Sequence, residues 1–507
     1  MFAMKTGERY FINLNMAGGR LRVANDERWL AMDIGTTHLK SVVWDARAFA
    51  PIFQTETPTP YHARGGPSAT ATIDAQAVLT WVVQQLMQGQ EAGRPLRMAF
   101  STAMHTFLPV DQAGDPWAEE GAYTWMDGRS AAVAERLRHT IAQAWQAETG
   151  TPVHAMSVAV KWVWWREAHR NILPAHIVGL KDWLVYRLSG QWLTDWACAS
   201  ATGMVALGSD DWDRQILTAI DLEPGVLPRI GAPETELDTP YGRLILGGGD
   251  AAMAHFGLGV VPGCGAGVLS LGTSGALRAQ IKRPPAALKP NFFCYRGVSG
   301  TGYLLGEAYS NVGSLLAFIA DWQRVSVPEL ITRGLRRLAA GRTRLPRLIP
   351  FAVGERSPYW RETLRLEWRG VQPEHQPDDF MAATMAALLT VLYGGSRRLR
   401  ASGLTLNTLR SASRLLAAPE LAQWVANATG FPLSVEEGMD ASLAGALRMA
   451  ARDTWQEFPP NAPRQQRYVE PTEHDVAYWE ENLAVLDLAA QEQLNANTGP
   501  SALTGEG

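Results

Sequence analysis

The sequence predicts an α/β protein of two related domains around a central cleft, and three observations carry that prediction. First, residues 29–33 read as a short apolar strand, Gly35-Thr36-Thr37-His38 as a turn and residues 39–45 as a returning strand. Second, the same hairpin recurs about 240 residues later, as a strand over 267–273, a turn at Ser274-Gly275 and a strand over 276–281, which points to a duplicated fold whose copies each lend one loop to a shared site. Third, an apolar strand over 244–246 runs into Gly247-Gly248-Gly249 and then Asp250, placing bare backbone and a carboxylate together at a helix start.

In chain order, Asp33 ends the first strand beside the first turn. A carboxylate there either shapes the turn or holds Mg²⁺ through water, because magnesium keeps much of its hydration shell and takes few protein ligands. Backbone N–H groups and hydroxyls at turns such as Gly35-Thr36-Thr37 cradle phosphate oxygens, and Lys40 adds a cation. The two hairpins are therefore either ordinary turns or facing loops that hold a triphosphate between them, with Gly272 and Thr273 as the second loop. Asp74 opens a helix whose apolar positions 78, 81, 82 and 86 share one face, which reads as scaffold. Residues 96–101 form a strand, and Met104-His105 follow it. A histidine past a strand end either belongs to the core or faces a ligand. Asp250 either caps its helix or stands at the mouth of the cleft.

Trp125-Met126-Asp127-Gly128-Arg129 brings together an aromatic face, a hydrogen-bond acceptor and a guanidinium fork. Lys161 either complements a substrate carboxylate or lies on the solvent face of a Trp-rich helix. In Gly354-Glu355-Arg356-Ser357-Pro358, Glu355 and Arg356 read either as a site element or as an internal ion pair that fixes the loop. Gly394-Gly395 is read as part of a helix and not as a nucleotide loop.

Composition sets the bounds. A chain of 507 residues has room for two to four domains, and a formal net charge of −4 argues against a nucleic-acid surface. Three scattered cysteines fit neither a disulfide framework nor a zinc site, which suits a cytoplasmic protein. No apolar run approaches the ~20 residues of a membrane span, the longest being 385–393. Residues 1–28 lack the apolar core of a secretory signal and read as an extension. Most of the 19 tryptophans are assigned to packing. After an irregular Pro-rich stretch at 454–463, a helix is expected over 470–494 and a polar tail over 495–507.

The runs DIGTTHLK, GGGDAAMAHFGLG and LSLGTSGA resemble the FGGY carbohydrate kinases of the actin and hexokinase-like ATPase superfamily, over roughly residues 29 to 455. Within that family FSTAMHTFLPVDQAGDP and Gly150-Thr151-Pro152-Val153-His154-Ala155-Met156 with Lys161 look most like gluconate kinases. The resemblance implies two actin/hexokinase-like (ribonuclease H-like) domains. They are an N-terminal one over 29–250 that binds sugar and a C-terminal one over 251–455 that binds nucleotide, with 456–507 as a terminal helix and tail. It also implies ATP and Mg²⁺. Asp250 would be the catalytic base and Asp33 would organise the metal. Gly35, Thr36, Thr37, Lys40, Gly272 and Thr273 would meet the phosphates, and His105, Trp125, Asp127, Arg129, Lys161 and Asp250 would line the sugar site.

At one place the pattern departs from the family. The Gly-Gly pair on which adenosine lies falls at Ser413-Arg414, where arginine would clash with the base, stack on it or pair with a phosphate. The implied reaction is phosphorylation of gluconate to 6-phosphogluconate. The alternatives are a pentulose or polyol kinase acting on xylulose, ribulose or glycerol, and a kinase fold that binds sugar or nucleotide without turnover. The expected partner is a small sugar or sugar acid, with no nucleic acid and no membrane, and a homodimer is one form of assembly.

Overall fold

The computed structural model of the chain describes residues 27–48, 50–64, 69–117, 121–298, 302–451 and 466–497. Most of the N-terminal extension, the turn at Gly300-Thr301, the Pro-rich stretch and the polar tail beyond residue 497 lie outside the described residues.

Two sheets organise the chain, each begun by one of the Gly-Thr hairpins. The first contains β1 (Arg28–Ile34), β2 (His38–Asp45), β3 (Ala50–Pro58), β4 (Leu96–Thr102), β5 (Glu236–Thr239) and β6 (Gly242–Gly249), in the order β5-β6-β4-β1-β2-β3. Strands β1 to β3 form an antiparallel meander, while β4 and β6 run parallel to β1. The second sheet contains β7 (Ala266–Leu271), β8 (Gly275–Ile281), β9 (Phe293–Arg296), β10 (Tyr303–Tyr309), β11 (Thr408–Ser411), β12 (Leu433–Glu436) and β13 (Gln466–Val469). Its order is β9-β10-β8-β7-β11-β12-β13: β7, β8 and β10 are antiparallel with β9 on their edge, β11 and β12 follow parallel to β7, and β13 closes the sheet antiparallel. The shared plan is the duplication that the paired hairpins predicted.

Burial on both faces explains why the strands are so apolar. Along β1, Leu30, Met32 and Ile34 pack with α1 (Ala75–Gly89) and α2 (Leu180–Ser189), while Trp29 and Ala31 face the opposite side. That opposite side is covered by α3 (Asp250–Gly257) and α6 (Ala441–Ala450), so a helix from the far end of the chain packs on the first sheet. Two glycines let these helices touch. A Cβ on Gly257 would come 2.0 Å from the Ala441 carbonyl oxygen, and one on Gly445 would come 2.1 Å from that of Met253. Helix α1 starts as predicted, with Ala77 N donating to Asp74 Oδ1 at 2.9 Å and Val78, Trp81, Val82 and Leu86 buried.

The second sheet packs one face on α4 (Gly313–Gln323), α5 (Pro377–Arg400) and α7 (Val476–Asn497). Helix α5 contains Gly394-Gly395 in its interior. By length and apolarity it would be able to cross a bilayer, but 94% of its apolar window is buried inside the protein, which makes it a core helix.

A seam away from the cleft also ties the two halves. Cys294 N donates to the Gly150 carbonyl at 2.9 Å, Gln146 Nε2 donates to the carbonyls of Phe292 and Pro290, and Arg138 pairs with Glu362 at 2.8 Å. Gly150 has φ of 73°, and a Cβ there would lie 2.1 Å from the Cys294 carbonyl oxygen.

Candidate active site

The glycine cluster at the end of β6 exists to bring backbone together. Gly247 has φ of 69°, and a Cβ on it would lie 1.9 Å from the Phe100 carbonyl oxygen; one on Gly249 would lie 2.5 Å from Met104 Cγ. Bare backbone therefore lets β6 press against β4 and the Met104-His105 loop. Asp250 comes next, with the Met104 N–H directed at its carboxylate. It is the first residue of α3 and not its cap. Gly249 holds the cap position, and Asp250 Oδ1 accepts from the adjacent Ala251 N at 2.7 Å. Burial pushes the Asp250 carboxyl above the ordinary carboxylate range, and the Arg278 guanidinium opposes that rise.

The first hairpin turn is closed by Gly35 N donating to the His38 carbonyl at 3.1 Å, with Thr36 half-buried and Thr37 exposed. Lys40 lies directly opposite Asp33 in the β1–β2 ladder. Its Nζ reaches across to Asp440 Oδ2 at 2.9 Å, at the cap of α6. Asp33 Oδ1 accepts from Ser101 Oγ at 2.7 Å, and burial with help from Asp440 pushes its carboxyl up to about 7 against the pull of Lys40. Among the described residues no three His, Cys, Asp or Glu side chains converge to coordinate a metal directly. A single buried carboxylate with hydroxyl support fits a magnesium ion held through water.

The second turn exposes Gly272 and Thr273. It is braced from behind by α4, since Gly313 N donates to the Gly272 carbonyl and Ser314 N to that of Thr273. Leu271 N donates to Ser413 Oγ at 2.8 Å, so Ser413 buttresses this loop. Arg414 points away from that contact and pairs with Glu56 on β3, across the cleft mouth. Glu56 is the ladder partner of Lys40. Arg414, Glu56, Lys40 and Asp440 thus alternate in charge between the two halves.

Of the residues expected to line a sugar site, His105 and Trp125 lie near Arg356 and Tyr295. His105 has φ of 60°, lies edge-on to Tyr295 at 5.6 Å between ring centroids, and keeps a buried Nδ1 without a hydrogen bond. Burial and the nearby Lys161 and Arg356 charges lower its pKa to about 3, so the ring is neutral. Arg356 stacks 4.4 Å above the centroid of the Trp125 ring. Its guanidinium bonds the Tyr309 carbonyl at 2.7 Å, while Glu355 takes the N–H groups of Ser310 and Arg356 and the Asn311 amide. Among the described residues Glu355 and Arg356 make no direct side-chain hydrogen bond; they hold the same loop through Ser310, which both side chains touch.

Asp127 and Arg129 close on each other. Arg129 Nη2 lies 2.7 Å from Asp127 Oδ2, which also accepts from Ala71 N at 2.9 Å. The arginine fork expected to meet a substrate is turned onto Asp127 and braces the Trp125 turn. Lys161 is not on a solvent face. It is 1% exposed, its Nζ donates to the Ala155 carbonyl at 2.6 Å, and burial lowers its pKa to about 7. The sequence reading passed over Glu56 and Arg278. Arg278 did carry a signal: it is a charge in an otherwise apolar strand, at an alternate position.

The site thus combines a buried carboxylate at a helix start with two Gly-Thr loops, one from each duplicated unit. Residues 28–239 match the N-terminal domain and residues 267–454 the C-terminal domain of the FGGY family of carbohydrate kinases, and the chain belongs to that family. It is 26% identical over 397 residues to a gluconokinase of Bacillus subtilis, covering 72% of this chain and 75% of that one. It is 32% identical over 293 residues to a xylulose kinase of Streptomyces rubiginosus, covering 53% and 56%. The gluconate kinase of Lactobacillus acidophilus shares the fold with a TM-score of 0.79 and 20% identity, over 94% of this chain and 99% of that chain.

Proposed function

We propose that the protein transfers the terminal phosphoryl group of ATP to a hydroxyl of a sugar acid, gluconate foremost, giving 6-phosphogluconate. The observation that carries this reading is the positive charge on the sugar side of Asp250. Arg356 lies on Trp125, and the buried Lys161 is close enough for His105 to sense its charge. A pocket with this polarity suits an anionic sugar better than a neutral one. The likeness to gluconokinases supports the same choice.

In this reading Asp250 accepts the hydroxyl proton as the sugar oxygen attacks the γ-phosphorus in line. The Met104 N–H holds the carboxylate, and the turns Gly35-Thr36-Thr37 and Gly272-Thr273 present N–H and hydroxyl donors to the phosphates. Lys40 neutralises charge from the first loop. Magnesium held through water at Asp33 would neutralise the β and γ oxygens when bound. Closure of the two halves excludes water, the competing acceptor.

A pentulose substrate is the second reading, favoured by the 32% identity to a xylulose kinase. The test is coupled ADP release with Mg-ATP over gluconate, other aldonates, pentuloses and glycerol, beside Asp250→Asn. Turnover on gluconate that is lost in a folded Asp250→Asn supports the proposal. Preference for a pentulose replaces the substrate, and full turnover by the variant removes Asp250 from the reaction.

A further inference from the structure

Arg278 sits in the middle of β8 and turns away from the core of the second sheet. Its neighbours Leu277 and Ala279 join the cluster with α5 and α7, so Arg278 projects from the opposite face with Ala276 and Gln280. That face meets α3 and α6, where Tyr295, Leu304 and Ala308 pack. The side chain is aimed along the sheet. Arg278 is the ladder partner of Val268, yet its Nη2 donates to Ser270 Oγ at 2.5 Å, two residues nearer the Gly272-Thr273 loop. Small residues clear the path: Ala276 lies ahead, and a Cβ on Gly306 would come 2.6 Å from Arg278 Cγ.

A guanidinium only 5% exposed ordinarily has a carboxylate against it. Here the hydrogen-bond partner is a neutral hydroxyl, and Nε is buried without any. Asp250 and a second buried arginine, Arg356, both lie within electrostatic reach, and the ring of His255 on α3 faces Arg278 as a neutral group. Arg356 has Glu355 beside it as well, whereas Arg278 has Asp250 within reach and no carboxylate hydrogen-bonded to its fork.

We propose that Arg278 grips the phosphoryl group in transit, its fork meeting the equatorial oxygens of the γ-phosphoryl between Asp250 and the Gly272-Thr273 loop. The sugar oxygen forms the new bond to phosphorus as the bond to the β–γ bridging oxygen breaks. The nucleoside diphosphate leaves with that electron pair, and the hydroxyl proton passes to Asp250. Charge on the three equatorial oxygens is then met by a preorganised cation supplied by the chain itself, the largest kind of help a loose phosphoryl transition state accepts. This role holds whichever sugar is the acceptor.

The inference rests on the phosphotransfer reading, and the parent protein separates the two: a parent inert toward every sugar sinks that reading, whereas turnover insensitive to Arg278 sinks only this one. The experiment uses Arg278→Met and Arg278→Lys in the full chain. Initial rates are measured together with calorimetric binding of Mg-ADP, of the sugar, and of Mg-ADP with aluminium fluoride in the presence of sugar. The expected result for Arg278→Met is binding of ADP and sugar within about threefold of the parent, with kcat and affinity for the fluoride complex both lower by about 100- to 1000-fold. Arg278→Lys keeps the charge without the fork and falls between the two. Arg278→Met with kcat within about threefold of the parent overturns the proposal, as does loss of sugar binding with the fluoride complex unaffected. If Arg278→Met does not fold, Arg278→Lys decides the matter, since parental turnover and fluoride affinity in that variant would equally overturn it.

Discussion

Lys40 Nζ donates to Asp440 Oδ2 at 2.9 Å, joining residues 400 positions apart across the cleft. The other Asp440 oxygen caps α6 by accepting from Ser442 N at 3.0 Å. For Lys40 to meet a phosphate, it must leave this partner. Asp440→Asn keeps the cap and removes the charge, so the expected outcome is a KM for Mg-ATP lower by about threefold with kcat little changed. Initial-rate kinetics checks it, and a higher KM would show that Asp440 itself serves the nucleotide.

Arg414, which the family resemblance sets against the adenosine, is occupied with Glu56. Its side chain is 75% exposed, so the pair is screened and worth ~0–1 kcal/mol. Arg414→Gly is expected to leave thermal stability nearly unchanged and to tighten ADP binding, because the wall opens while Ser413 still holds Leu271 N. Calorimetry with ADP at two salt concentrations checks this. Weaker binding would mean that Arg414 turns onto the nucleotide.

Asp33 makes a pH-dependent cost visible. Its carboxyl holds a proton up to about 7 in the folded chain, against an ordinary value of 3.8. Between those values the folded state binds more protons than the unfolded one, so stability falls as pH rises through the window. In magnesium-free buffer Asp33→Asn should therefore melt higher than the parent at pH 8 and equally at pH 4, while losing phosphotransfer. Differential scanning calorimetry at both pH values is the check.

Lys161 runs the other way. Its folded value is about 7 and its ordinary one 10.5, so the unfolded state holds the extra proton between them and stability rises with pH across that range. Lys161→Met is expected to raise the melting temperature more at pH 6 than at pH 10. It should also weaken gluconate use more than xylulose use, and in the parent the preference for gluconate should decline above about pH 7 as this charge is lost. Equal effects on both sugars would remove Lys161 from acid recognition.

Much of the fold was legible because local signals were strong. The Gly-Thr turns, the alternation of β1 and the Asp74 cap are short-range patterns that the structure keeps, except that the second turn falls at Gly272-Thr273-Ser274 and Gly275 already begins the returning strand. The strand Arg347–Ile349 stops where Pro350 lacks a donor for the ladder. Side-chain partnerships were far less legible. Nothing near Lys40 announces Asp440, and nothing near Arg414 announces Glu56, because such pairs arise only when two sheets are docked. Arg129 turned onto Asp127 for a related reason: a buried carboxylate takes the nearest fork, and the one two residues away was closer than any ligand.

The seam at Gly150 bears on how the molecule comes apart. Two halves with separate sheets would ordinarily be free to melt in succession. Here the Cys294 N–H finds its acceptor at Gly150, and the first sheet is covered by a helix that the chain reaches only at Ala441. Loosening either half strips buried donors and apolar faces from the other, which ties the weakest segment to the strongest. Heat should then take the structure in one cooperative step, and slow amide exchange should extend through both sheets alike.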